Sequence, residues 1–164
     1  MPNYPPMITL FTDAGFCQTI MRGTWASWAK YEGVAHLNSG FIRADCRNSN
    51  DAEMYAICNG FCSTLAHFKP PSNTLVLIQS DCTGAIAIYE RFRFMHRNVV
   101  NTDESVPPSV MSFMERANHY NVRFEFRHVK GHRGHATRRN SVNSTCDQRC
   151  TELLQILRKQ EGYS

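Results

Sequence analysis

Apolar side chains recur along this chain in two rhythms, and the places where one gives way to the other mark its elements. Residues 7–13, Met7-Ile8-Thr9-Leu10-Phe11-Thr12-Asp13, form a nearly continuous apolar run ending on an acid, the signature of a strand covered on both faces that emerges at a sheet's end. Two more extended stretches, residues 23–31 and 34–42, meet at Glu32-Gly33, a hairpin-type junction. From residue 50 to 68 the period changes, because Met54, Ile57, Cys58, Phe61, Leu65 and Phe68 recur at steps of three and four, which predicts an amphipathic helix. Pro70-Pro71 breaks the chain before residues 74–80 resume as a buried strand, and a second helix is expected over about 82–94. Residues 98–105 are polar and read as a loop. Pro107-Pro108 opens a third helix running to about Tyr120. Val122, Phe124 and Phe126 alternate with charged residues as a strand with one dry face, and Cys146, Cys150, Leu153, Leu154 and Leu157 make a last helical stripe. This succession predicts an α/β sheet covered by helices.

The 164 residues, 42% apolar, suffice for one sizeable core, and no internal repeat or composition shift divides them, so a single domain over 1–164 is expected. The aliphatic runs, such as Leu75 to Ile78, are far too short for a membrane span, and the start lacks a cationic region followed by an apolar one. A soluble, unexported, cytoplasmic protein with no membrane partner is the expectation. Seven cysteines, an odd number with no Cys-x-x-Cys pair, fit a reducing compartment. Cys58 with Cys62 and Cys146 with Cys150 stand at helical spacing, as small buried side chains on helix faces would. The formal charge of +4 is modest, but Arg91, Arg93, Arg97, Arg127, Lys130, Arg133, Arg138 and Arg139 all fall in the second half, a bias that suits a polyanion. A basic face exposed only to water would have the same composition.

Four acids change the picture. Asp13 and Asp81 close apolar strands that should lie parallel and adjacent, so both belong at one sheet end, where ligand sites of open α/β sheets gather. Glu53 lies in the first turns of one helix and Asp147 in the first turns of the last. Taken singly, three of them have ordinary explanations. Glu53 can reciprocate a cap at Asn50, Asp81 can cap the helix that follows it, and Asp147 can answer a helix dipole. Asp13 is the exception, because aspartate is disfavoured in so apolar a strand. Jointly, four clustered carboxylates repel one another and call for a divalent cation, and hard oxygen ligands favour magnesium or manganese over zinc or copper. Two such ions can clamp a scissile phosphate.

The ordered set Asp13, Glu53, Asp81 and Asp147, with separations of 40, 28 and 66 residues, together with Val129-Lys130-Gly131-His132-Arg133-Gly134-His135, resembles a type 1 ribonuclease H over essentially the whole chain. The resemblance implies the ribonuclease H-like fold, a five-stranded mixed sheet flanked by helices. It also implies two magnesium ions on the four acids and an RNA/DNA hybrid as partner, bound by a monomer. The expected reaction is endonucleolytic hydrolysis of the RNA strand that leaves 5'-phosphate and 3'-hydroxyl ends. By the same resemblance His132 is an auxiliary proton carrier, a task suited to a side chain that titrates near neutrality. His135 is structural. Ser49 and Asn50 align with a hybrid-contacting turn, while Arg91, Arg93, His96 and Arg97 stand where some members carry a basic protrusion. The segment between His132 and Asp147 reads as a long loop whose Arg138 and Arg139 add phosphate contacts, which would make binding strongly salt dependent. Two rivals stay open: another nuclease on the same fold, such as a junction resolvase, and a nucleic-acid-binding module that does not cleave.

Overall fold

The computed structural model describes residues 6–96, 105–130 and 138–162, with side chains from residue 142 onward in the last segment. The elements run β1 (Met7–Cys17), β2 (Arg22–Tyr31), β3 (Val34–Phe41), α1 (Ser49–Phe68), β4 (Leu75–Ser80), α2 (Thr83–Arg91), a 3₁₀ turn (Arg93–Met95), α3 (Pro108–Tyr120), β5 (Arg123–His128) and α4 (Arg138–Gln160). The strands form one five-stranded mixed sheet in the order β3-β2-β1-β4-β5. β1, β2 and β3 pair antiparallel, and β1, β4 and β5 pair parallel. The expected fold class is therefore observed.

Local chemistry explains most boundaries. Glu32 and Gly33 both take positive φ, 50° and 79°, the requirement of a two-residue hairpin turn, and Tyr31 accordingly pairs with Val34. α1 ends where Lys69 turns left-handed and donates its N–H to the Leu65 carbonyl, immediately before the two prolines. α3 begins at Pro108, which needs no amide partner in a first turn, and stops on a left-handed Asn121.

Three expectations need correction. β1 does not stop at Asp13 but continues to Cys17, because β2 pairs with it along that whole length even after β4 has ended. α2 closes at Arg91 rather than at residue 94, since the chain tightens into the 3₁₀ turn that buries Phe92 and Met95. Most of the expected loop before Asp147 is helix. α4 starts at Arg138, as no glycine or proline interrupts residues 138–161, so Asp147 is its tenth residue, well past the first turns. Residues 98–104 of the expected 98–105 loop, Arg97, His132 and His135, and the side chains of Arg138 and Arg139, lie outside the described residues.

The two faces of the sheet are covered differently. α1, α2 and α3 bury one face around Ile8, Leu10, Val76 and Ile78, with Phe113 stacked on Phe61 at 4.0 Å and edge-on to Phe124 at 5.0 Å. The Tyr89 hydroxyl donates to the Met54 carbonyl at 2.7 Å and ties α2 to α1. α4 covers the other face through Cys146 and Cys150, which pack on Ala26 beside Trp28. The cysteine pairs are thus small packing groups, and all seven thiols are free. Among the described residues no helix is long and apolar enough to cross a membrane.

α1 approaches the sheet closely at Gly60, where a Cβ would fall 2.9 Å from both Thr12 Cγ2 and Ser27 Cβ. Ser27 Cβ is bonded directly to the backbone and Thr12 Cγ2 is a methyl one bond further out on a branched side chain, so both have little room to move. Gly60→Ala is expected to lower stability by about 1–2 kcal/mol despite the better helix propensity of alanine. Glu53 sits two helical turns earlier on the same face, so nuclease activity should fall with it. Thermal unfolding and a cleavage assay read the two effects, and an unchanged melting temperature would contradict the close contact.

Candidate active site

β4 ends at Ser80 while β1 runs on, so from Asp13 onward β1 has no parallel neighbour on that side. Continuing the β1–β4 register, Phe11 against Gln79, by two residues brings Asp13 opposite Asp81. Asp13 shares a face with its β2 partner Ala26, the face that α4 covers. Glu53 comes from α1 on the opposite face. The gap beyond β4 lets them meet: one ligand oxygen each from Asp13, Glu53 and Asp81 lie within 4.8 Å of one another.

The surroundings make this a costly cluster for bare carboxylates. Asp13 is only 8% exposed and accepts a hydrogen bond from the Ala14 amide at 3.0 Å. Glu53 is pushed up to about 9, first by burial, then by the charges of Asp13 and Asp81; the Ala14 amide offsets this only in part. Its Oε2 is buried without a hydrogen-bond partner. An orphaned carboxylate oxygen among two other acids fits a divalent cation, and all-oxygen donors fit magnesium or manganese.

The capping alternatives fall away. Asn48 caps α1, accepting from the Asp51 amide at 2.9 Å, while Asp51 Oδ2 accepts from the Arg47 amide at 3.0 Å. Cys82, not Asp81, caps α2 through its sulfur, which accepts from Ala85 N at 3.4 Å. Glu53 and Asp81 therefore do no capping work.

The other expected residues are placed less uniformly. Asp147 stands outside the three-acid group, one residue along α4 from Cys146. Burial pushes the Cys146 thiol up to about 12, aided by the Asp13 charge, so this part of α4 does face the site. Ser49 is exposed at the start of α1. Asn50 accepts from the Cys82 thiol at 3.2 Å and lies across Gly84, where a Cβ would meet its Nδ2 at 2.7 Å. Asn50 thus touches the residue that follows Asp81. Arg93 is engaged elsewhere: it binds Glu90 at 2.7 and 2.9 Å, reaches the Phe124 carbonyl at 3.1 Å and sits 4.7 Å over the Phe124 ring. A phosphate contact by Arg93 would cost those bonds. Arg91 ends α2, with its guanidinium 5.7 Å from the Phe92 ring. Arg97, His132, Arg138 and Arg139 are not placed by the described side chains.

Sequence reading missed His128. It ends β5 opposite Ser80, and its Nε2 lies 3.2 Å from the Asp81 carbonyl. The signal was available, since a residue closing a strand parallel to β4 belongs at the same sheet end as Asp81.

The sequence profile of the RNase H family matches residues 5–155. No curated protein sequence matches the chain. Among solved structures, RNase H1 from the halophilic archaeon Halobacterium salinarum is 14% identical with a TM-score of 0.53, over 91% of this chain and 98% of that one. LC11-RNase H1, solved in complex with an RNA/DNA hybrid, is 15% identical with a TM-score of 0.54, over 92% and 98%. The prototype foamy virus protease-reverse transcriptase is 16% identical with a TM-score of 0.61, over 93% of this chain and 22% of the viral one. At these identities the structures speak for the shared fold.

Proposed function

The chain belongs to the ribonuclease H family, and on that premise we propose that it is a single-domain endonuclease hydrolysing the RNA strand of RNA/DNA hybrids, leaving 5'-phosphate and 3'-hydroxyl ends. The observation that carries this reading is the meeting of Asp13, Glu53 and Asp81 with a buried Glu53 oxygen that has no protein partner. Two magnesium ions, with manganese as substitute, would supply Lewis-acid charge against the scissile phosphate. Asp13, Glu53 and Asp81 would hold them, joined by Asp147 from the helix that covers Asp13.

The remaining roles complete the proposal. Ser49 and Asn50, polar groups at the start of the helix that carries Glu53, are suited to contact a 2'-hydroxyl and so to tell the RNA strand from the DNA strand. His132, four residues past β5 in the sequence, would carry a proton away from the leaving group, so its loss would slow turnover without ending it. Arg91, Arg138 and Arg139 would add backbone phosphate contacts, and Arg93 would do so only by releasing Glu90.

A cleavage panel tests the reading. Hybrid, duplex RNA, duplex DNA and a four-way junction are incubated with magnesium, with manganese and with chelator, and cutting confined to the RNA of the hybrid in the presence of metal is expected. Preferred cutting of the junction would favour a resolvase, and tight binding of intact hybrid under both metals would favour a non-cleaving module.

A further inference from the structure

Beside the acid cluster, between α1 and the outer strands β2 and β3, lies a groove of about 760 Å³ that the proposed chemistry leaves unused. Two arginines, Arg22 and Arg43, are among its lining residues, with no aspartate or glutamate. Arg43 is exposed. Arg22, at the start of β2, has its Nε buried and without a hydrogen-bond partner, and its outer nitrogen lies 3.7 Å from Glu161, the residue after α4. The only formal charges among its lining residues are therefore positive.

The rest of its lining is mostly apolar, with Phe41, Ile42, Ala44 and Cys62, and carries aromatic and amide groups among them. Trp25 and Tyr55 line it with Asn38 and Asn59. Gly40, the β3 partner of Trp25, keeps the indole clear, because a Cβ there would come 3.0 Å from the indole nitrogen. Cations that hold phosphates, flat rings that stack on bases, and amides that bond to base edges or sugars form the combination that single-stranded nucleic acid requires. A double helix offers no free base faces to such rings.

The position suits a strand already engaged by the acids. Trp25 pairs across β1–β2 with Ala14, the residue after Asp13, and Tyr55 follows Glu53 by two positions on α1. Two strand spacings, ~10 Å, separate the acids from the groove's outer wall. We propose that this groove binds a single-stranded extension of the substrate, RNA or DNA alike, through Arg22 and Arg43 on phosphates and Trp25 and Tyr55 on bases. The proposal deepens the ribonuclease reading and rests on it only in taking nucleic acid as the occupant.

The test uses the full chain, Arg43→Glu and Tyr55→Ala, with chelator present so that the acids cannot hold metal. Fluorescence anisotropy is measured on short labelled single strands of RNA and of DNA. Each variant is expected to bind about tenfold more weakly than the parent, with little difference between the two sugars. In magnesium, cleavage of a blunt hybrid should be unchanged in Arg43→Glu, while the parent's advantage on a hybrid with an overhang disappears. Parental chain that ignores single strands, or Arg43→Glu that binds them as well as the parent, overturns the proposal. Failure of the parent to cut blunt hybrid would instead strike the ribonuclease reading and leave the binding result to stand by itself.

Discussion

Asp81→Asn is expected to reduce metal-dependent cutting of the hybrid by at least about a thousandfold while the protein stays folded. Asp81 lies at the end of β4, half-buried, and does not cap the helix after it, because Cys82 does. Exchanging its carboxylate for an amide removes a charge from the cation site without removing a structural bond. Losing about 4 kcal/mol of charge stabilisation corresponds to that factor in rate. Asp147→Asn is the informative comparison, since Asp147 stands outside the three-acid group. If α4 supplies a working ligand, this variant should also lose most activity. Equal cutting by parent and Asp81→Asn, under the same metal, would remove the carboxylate cluster from consideration as the site.

The second large effect concerns stability and runs opposite to activity. With its carboxyl held up to about 9 by burial and by Asp13 and Asp81, Glu53 binds its proton far more tightly in the folded chain than in the unfolded one, where the usual carboxylate range applies. Between those two values the native state holds more protons, so without divalent metal stability must fall as pH rises from about 5 to about 9. The loss by pH 8 is on the order of 3 kcal/mol, discounted for relaxation and residual solvation. Glu53→Gln removes the titrating group and lets an amide donate to its acidic neighbours. In chelator at pH 8 it should melt roughly 10 °C higher than the parent, lose that pH dependence, and cut nothing. Magnesium should raise the parent's melting temperature at pH 8 and release protons as it binds, measurable by calorimetry in two buffers of different ionisation enthalpy. A parental melting temperature that is flat with pH in chelator would mean that the three acids do not share one buried space.

Much of this architecture is legible before folding because burial imposes its period on the sequence. The helix over Met54, Ile57, Phe61 and Leu65 was readable since each of those side chains points into the core. Asp13 and Asp81 were legible as a pair because strand ends converge by topology alone. The misreadings occurred where a boundary depends on a distant partner. β1 outlasts its apolar run because β2 pairs with it, and α2 stops short because Phe92 and Met95 must turn inward. α1 is capped by Asn48 rather than Asn50, and this frees Asn50 to lean on Cys82 and Gly84, residues more than thirty positions away.

From the sequence alone came the order of elements, the apolar faces and the identities of the acids, since periodicity and residue chemistry are local properties. Only the tertiary structure decided that β4 ends beside Asp13, that this opening admits Glu53 from the other face of the sheet, and that Asp147 lies in mid-helix outside the closest three. It also decided which arginines are already engaged and which line an open groove. Those facts turn on distances between residues remote along the chain, which side-chain packing sets and no local pattern encodes.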